Sequence, residues 1–327
     1  MSKRFKPRSG QADKRTIFSG LTAARDVLCG WMGGGRKGSL RPGDGHKKAC
    51  SQGADGHTGQ QSEKKLITAL YEKTQDKKLK RLLRAYVRNE LDSQRFTFAL
   101  NLYDSGTYLE DLCATRANAT FLEDPEFQRA YQAGASVSTW QRGIRWRVYN
   151  LIKLAGVALQ REGDFVECGV DRGGMSLALL TFYGQKLSDR RFWLFDTFQG
   201  LVDTQMNEVE QEKNLFGKER YPDVYAQVRD TFSPFENVRI IRGAIPDTLD
   251  QYSGHEVAYL HIDMNVAYPE VKALDFFWPR ISPGGVVVLD DYGFPRRTEQ
   301  KKAMDACAQR LDTEIILMPT GQGLIIK

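Results

Sequence analysis

The chain has 327 residues, 41% of them hydrophobic and 11% aromatic, which is enough apolar side chain for one large domain or two smaller ones and excludes wholesale disorder. Its formal net charge of +6 divides unevenly, because residues 1–65 hold 14 Lys/Arg against 5 Asp/Glu and the remainder holds 33 against 36. The body is therefore mildly acidic and lacks the basic stripe that nucleic-acid binding requires, and no run approaches the ~18 consecutive apolar residues of a membrane span.

Residues 1–63 read as a disordered, basic, glycine-rich tail: twelve of the 30 glycines lie there, Gly33-Gly34-Gly35 among them, and such a composition cannot bury enough apolar area to offset backbone ordering entropy. A basic tether for an anionic surface is the functional counterpart of that reading. No apolar core of roughly 7–15 residues follows the basic start, so a secretory signal is not expected. Over 64–160 the chain reads as a helical cap. Leu66, Leu70, Leu79, Leu82, Leu83, Tyr86 and Leu91 recur at three- and four-residue spacing, with a break near Gln75–Lys77; Asp124–Gly134 and Ser138–Leu159 continue the helical pattern.

From Gly163 the pattern becomes strand, turn, helix, repeated. Apolar runs at Phe165–Val170, Phe192–Phe195, Val238–Ile241, Val257–Ile262, Val286–Leu289, Ile315–Leu317 and Leu324–Ile326 alternate with helical segments Met175–Leu187, Pro246–Tyr252, Pro269–Ile281 and Thr298–Leu311. Residues 161–327 are thus expected to form an α/β, doubly wound, seven-stranded and mostly parallel sheet. Only a Gly-containing turn, Pro319–Gly323, joins the last two strands, so an antiparallel hairpin should close one edge. The five cysteines (Cys29, Cys50, Cys113, Cys168, Cys307) are scattered and include no C-x-x-C pair, which excludes a disulfide framework and a zinc ribbon and points to a reducing, cytoplasmic setting.

In such a sheet, ligands bind beyond the carboxyl ends of the strands. The first strand ends in Glu167-Cys168-Gly169-Val170-Asp171-Arg172-Gly173-Gly174. Gly169 and Gly173 let backbone approach a ligand, and the following helix start offers free N–H groups. The spacing is not the G-x-G-x-x-G of a dinucleotide site, and the acid Glu167 suits a cationic amino group such as that of S-adenosylmethionine; a plain tight turn is the bland alternative. The second strand ends in Asp196-Thr197-Phe198. Asp196 can accept the hydroxyls of a ribose and Phe198 can pack on an adenine face, although Asp is also common at turns and caps. The fourth and fifth strands end in His261-Ile262-Asp263-Met264-Asn265 and Asp290-Asp291-Tyr292-Gly293. As neighbours in the sheet they bring together Asp263, Asp290 and Asp291, a convergence of like charge that calls for a proton or a cation. Oxygen ligands of this kind suit Mg²⁺ or another divalent ion. The thirty-odd residues from Val202 to Phe232 are long for a connection and read equally as a lid or a surface insertion.

Taken together, Phe165–Val170 with Arg172-Gly173-Gly174, Phe195–Leu201, Pro246–Leu249, His261-Ile262-Asp263, and Pro283-Gly284-Gly285 leading into Leu289–Gly293 resemble the macrocin O-methyltransferase family over about Phe121 to Lys327. That resemblance implies the class I methyltransferase, Rossmann-like sheet and a metal-dependent, S-adenosylmethionine-dependent transfer to sugar hydroxyls. It further implies that Asp263, Asp290 and Asp291 bind the metal, and that Glu167 and Asp196 contact the methionine and ribose parts of the cofactor. The family usually carries an acidic general base two residues after the first metal ligand. Here that position is Asn265, whose amide cannot accept the proton, and His261 is the other nearby candidate, although as a strand residue it reads first as core. The expected activity is O-methylation of a sugar on a natural-product glycoside or surface polysaccharide precursor. A cofactor-binding scaffold without activity and a nicotinamide-dependent oxidoreductase stand as alternatives. The expected partner is a small-molecule or glycan acceptor, not nucleic acid or a membrane, and the subunit number stays open, a homo-oligomer included.

Overall fold

The structure, a computed structural model, describes Thr68, Glu72, Lys80, Arg81 and Leu83–Ala85, and then residues 108–327 except 111–112, 116, 141–142, 214–220 and 296. The chain divides into two compact units, Met1–Gly106 and Thr107–Lys327. In the first, the described positions are α-helical and Leu83 is fully buried, in keeping with the leucine spacing there. The tail over 1–63 and the break at Gln75–Lys77 lie outside the described residues.

The second unit begins with a hairpin that the sequence did not announce, β1 (Tyr108–Glu110) paired antiparallel with β2 (Cys113–Thr115). Helix α1 (Pro125–Val137) starts where Asp124 accepts the N–H of Glu126 at 2.9 Å and Pro125 opens the first turn, the usual chemistry of a helix start. Helix α2 begins only at Arg145 and runs to Ala158, so Ser138–Trp140, expected as helix, are instead irregular chain. Then come β3 (Asp164–Cys168), α3 (Gly174–Tyr183), a short α4 (Gln185–Ser188) and β4 (Phe192–Asp196), followed by α5 (Glu208–Lys213), α6 (Tyr225–Phe232) and β5 (Val238–Arg242). The chain ends with β6 (Val257–Ile262), α7 (Ala267–Phe277), β7 (Ile281–Leu289), α8 (Thr298–Arg310), β8 (Ile316–Leu317) and β9 (Gly323–Ile326).

The seven-stranded sheet runs in the order β5-β4-β3-β6-β7-β9-β8. Strands β3 to β7 are parallel, and β9 is antiparallel to both β7 and β8. This is the doubly wound sheet with a closing C-terminal hairpin that the sequence predicts, in a class I, Rossmann-like order. The chain leaves β3 outward through β4 and β5 and returns to the other side of β3 with β6, so the switch point lies between β3 and β6.

Strand alternation divides the core in two. Phe165, Leu194, Tyr259 and Val288 join α1, α2 and α3 on one face, while Val166, Phe195, Leu260 and Val287 join α7 and α8 on the other. All six residues of β6 are buried, as a central parallel strand requires. His261 on β6 and Glu167 on β3 are buried polar residues for a reason developed below: they sit side by side in register, on the same face.

Candidate functional site

A cavity of about 920 Å³ opens at the carboxyl ends of β3, β4, β6 and β7, where a doubly wound sheet places its ligands. Gly169, at φ +93°, carries β3 so close to β6 that a Cβ would run into the main chain of Asp263. Gly173, at φ +81°, caps α3, and a Cβ there would meet the Phe232 ring. Both glycines are therefore demanded by close approach and left-handed backbone, and the first of them sets the cavity floor.

Several sequence-predicted ligands turn out to be committed to the protein itself. The Asp196 carboxylate lines the cavity and accepts the backbone N–H groups of Val170 (2.6 Å), Asp171 (2.9 Å) and Phe198 (2.6 Å), so it clamps the loop after β3. Burial pushes its carboxyl up, and those backbone bonds pull it back only in part. Thr197 donates to the Gly200 carbonyl at 2.6 Å and fixes the same turn. Phe198 adopts φ +57° and is buried with the core against Tyr225, ring centroids 5.5 Å apart; it is a packing residue at the cavity edge and not a free aromatic platform. Glu167 accepts from the Ser176 hydroxyl and faces His261 Nδ1 at 3.0 Å, so its carboxylate is engaged by buried neighbours.

The carboxylates of β6 and β7 do converge. One atom each from His261, Asp263 and Asp290 lies within 4.8 Å of the others. Asp290 is held by the Arg147 guanidinium and by Gln322, which donates to its Oδ1 at 3.0 Å. Gln322 is braced in turn by Asn150 and Thr320. Asp291, expected as the third member of the tight group, instead faces Arg147 and Arg297, each at 3.3 Å. Burial drives the Asp263 carboxyl well above its usual range, with Asp290 and Asp291 adding to the effect. Burial also works on Asp290, but Arg147 and His261 overcome it and hold that group ionised. His261 is the most telling residue. Burial should keep it neutral, yet Asp290 and Glu167 together push it up to about 10. Its Nε2 is buried without a hydrogen-bond partner, 3.6 Å from Asp290 Oδ1.

This set fits a divalent cation. An orphaned imidazole nitrogen whose opposite nitrogen faces a carboxylate is how metal-bound histidines are oriented, and hard carboxylate oxygens complete such a shell. His261 is buried, as the sequence reading first expected of a strand residue, and it lies beside Asp263 and Asp290 as well.

Around this centre stand residues that motif reading passed over: Arg147, Arg297, Glu270, Gln300 and Gln322. Two left a trace. Glu270, Ala273, Leu274 and Phe277 form one buried stripe of α7, and Gln300, Met304, Cys307 and Ala308 one of α8; a polar residue heading an apolar stripe is a signal in its own right. Glu270 Oε1 accepts from Met264 N–H (3.2 Å), Asn265 N–H (2.9 Å) and Gln300 Nε2 (2.7 Å).

The segment after β4 forms part of the cavity wall through Leu201, Val202, Gln205, Tyr221 and Val224; Asn214–Gly217 lie outside the described residues. Gln205 Nε2 donates to the Ile245 carbonyl at 2.6 Å, and Glu210 Oε1 accepts the Ala267 N–H at 2.9 Å, satisfying the first turn of α7. Among the described residues no helix is long and apolar enough to cross a membrane.

A family model described as macrocin-O-methyltransferase (TylF) matches residues 146–317. The chain is 34% identical over 155 residues to 8-demethyl-8-(2,3-dimethoxy-alpha-L-rhamnosyl)-tetracenomycin-C 4'-O-methyltransferase of Streptomyces olivaceus, covering 44% of this chain and 55% of that one. It is 28% identical over 219 residues to mycinamicin III 3''-O-methyltransferase of Micromonospora griseorubida, covering 63% and 83%. The chain therefore spans little more than half the length of the first of these relatives. Among solved structures, the O-methyltransferase NovP aligns at 24% identity and a TM-score of 0.49 over 55% of this chain and 79% of that one.

Proposed function

The chain belongs to the macrocin O-methyltransferase family, and from that premise we propose that it is an S-adenosylmethionine-dependent, divalent-metal-assisted O-methyltransferase acting on a sugar hydroxyl of a natural-product glycoside or surface polysaccharide precursor. The sugar acceptor is supported by the names of the two relatives, both O-methyltransferases of glycosylated natural products. The observation that carries the reading is that Asp263 and Asp290 line the same cavity as the glycine turn after β3, with the orphaned Nε2 of His261 buried beside them.

In this reading Asp263, Asp290 and His261 Nε2 hold the ion, with Asp291 beside them, and the loop Gly169–Gly174 with its free α3 N-terminus receives the methyl donor. The bound ion supplies Lewis acidity that lowers the pKa of an acceptor hydroxyl. The protein's own contribution is placement: the rate gain of a methyl transfer comes largely from holding donor and acceptor in line, and the wall residues Leu201, Val202, Gln205, Tyr221 and Val224 keep water from the reacting centre. Neither of the two base candidates suits the part. Asn265 is an amide, and His261 Nε2 is taken up by the ion in this reading while Nδ1 faces Glu167, so the acceptor's proton is assigned to solvent.

Asp290→Ala should abolish metal-stimulated methyl transfer, a loss of at least about a hundredfold if the ion stabilises the transition state by several kcal/mol, while S-adenosylhomocysteine binding stays within about twofold. Turnover is measured with glycoside acceptors plus Mg²⁺, with and without chelator. Chelator-insensitive turnover rejects the metal, and cofactor binding with no turnover favours a scaffold.

A further inference from the structure

Asn265 adopts φ +64°, a left-handed conformation that Asn tolerates better than most residues. Its side-chain amide is not left to choose an orientation. Arg297 can only donate, and it takes the amide oxygen with one terminal nitrogen while the other donates to the Asn265 carbonyl at 3.1 Å. The amide nitrogen must then face the other way, and it donates to Asp263 Oδ1 at 3.4 Å. The remaining guanidinium nitrogen, Nε, reaches Asp291 Oδ2 at 3.3 Å. Beneath the turn, Glu270 accepts the N–H groups of Met264 and Asn265 and is steadied by Gln300. A continuous bridge thus runs from Asp263 at the end of β6, through Asn265 and Arg297, to Asp291 at the end of β7. It spans two carboxylates that repel each other in a buried site.

We propose that Asn265 and Arg297 are positioning residues that act as one unit, cross-linking the carboxyl ends of β6 and β7 so that the cation-binding Asp263 is held in place against the Asp290-Asp291 end of β7 before any ion arrives. The neutral amide is required at position 265 because it is a donor toward Asp263 and an acceptor toward Arg297 at once. A carboxylate would accept from Arg297 but would face Asp263 with like charge, and an alcohol would be too short to reach both. Arg297 is required as arginine because it makes three contacts from one rigid fork, which a lysine ammonium cannot reproduce. The inference rests on the metal-assisted reading above and goes beyond it in naming what prearranges the site.

The test is Mn²⁺ binding to the full chain, followed by electron paramagnetic resonance or calorimetry, with S-adenosylhomocysteine affinity and melting temperature as controls. Asn265→Gly keeps the left-handed turn and removes only the amide, while Arg297→Lys keeps the charge and removes the fork. Each should weaken Mn²⁺ binding about tenfold or more with S-adenosylhomocysteine affinity within about twofold. The double variant should be no weaker than the worse single, because two members of one bridge are lost only once. Wild-type Mn²⁺ affinity in Asn265→Gly, or losses that multiply in the double variant, overturns the cross-link. A wild-type chain that binds no Mn²⁺ at all overturns the metal-assisted reading itself, a distinguishable outcome.

Discussion

Glu270 shows how much a single buried carboxyl can set. Burial, aided by Asp291, pushes it up to about 8 from an ordinary 4.5. The folded protein therefore holds the Glu270 proton more tightly than the unfolded chain does. The stabilisation from that difference is complete below about pH 4.5, declines as pH rises, and is gone above about pH 8. Glu270→Gln removes the titration, so its melting temperature should fall less than that of the wild type between pH 5 and pH 8. At about 1.4 kcal/mol per pKa unit the difference amounts to a few kcal/mol, and a series of thermal melts reads it; parallel slopes for the two proteins would mean that Glu270 does not titrate in this range. The same residue marks the limit of sequence reading. Its place at the head of an apolar stripe is legible. Its partners are not, because Gln300, thirty residues on, meets it only through the α7–α8 packing, and Asn265, five residues back, meets it only through the left-handed turn before α7. Asn265 itself stands out as a departure from a motif, yet Arg297, which gives that departure its sense, lies beyond a whole strand, and Arg147 approaches Asp290 from 143 residues upstream.

At the level of elements, most strands were legible to within two residues because buried parallel strands are continuous apolar runs; β7 was not, since it starts at Ile281, ahead of Pro283-Gly284-Gly285 and five residues before its apolar run. The helices were less so, and the causes are local. Met175–Leu187 is broken by Gly184 at φ +51°, which ends α3 and starts α4. Pro246–Tyr252 yields only a single 3-10 turn at Leu249–Gln251, since a seven-residue segment cannot recover the cost of nucleating a helix unaided. The β1–β2 hairpin, two strands of three residues, is too short for any periodic signal. Burial separates the sheet's centre from its edge. Leu260→Ala on β6, a fully buried position, should cost about 2–5 kcal/mol. Leu317→Lys on β8, more than half exposed, should stay within about 0.5 kcal/mol. Urea unfolding of the two variants checks the contrast, and equal losses would mean that the hairpin edge is covered in solution.

Over the whole molecule, charge is arranged in two opposed ways. The excess of basic residues lies in residues 1–65, whereas the cavity gathers Glu167, Asp171, Asp196, Asp263, Asp290 and Asp291 against Arg147 and Arg297 among its described lining residues. On the metal-assisted reading proposed above, a cation that fills a site this acidic links ion binding to folding. Mg²⁺ at about 100 times its dissociation constant should add about 2.7 kcal/mol, visible as a rise in melting temperature of a few degrees that EDTA reverses and Asp290→Ala abolishes. No rise in the wild type at millimolar Mg²⁺ would mean that the carboxylates are balanced by protons and arginines alone.

The bond from Glu210 to the Ala267 N–H ties the wall after β4 to the first turn of the helix that follows the Asp263–Asn265 turn. Displacing Glu210 would leave the first N–H of that helix without its acceptor, so the wall and the turn that carries Asp263 are coupled through one backbone group.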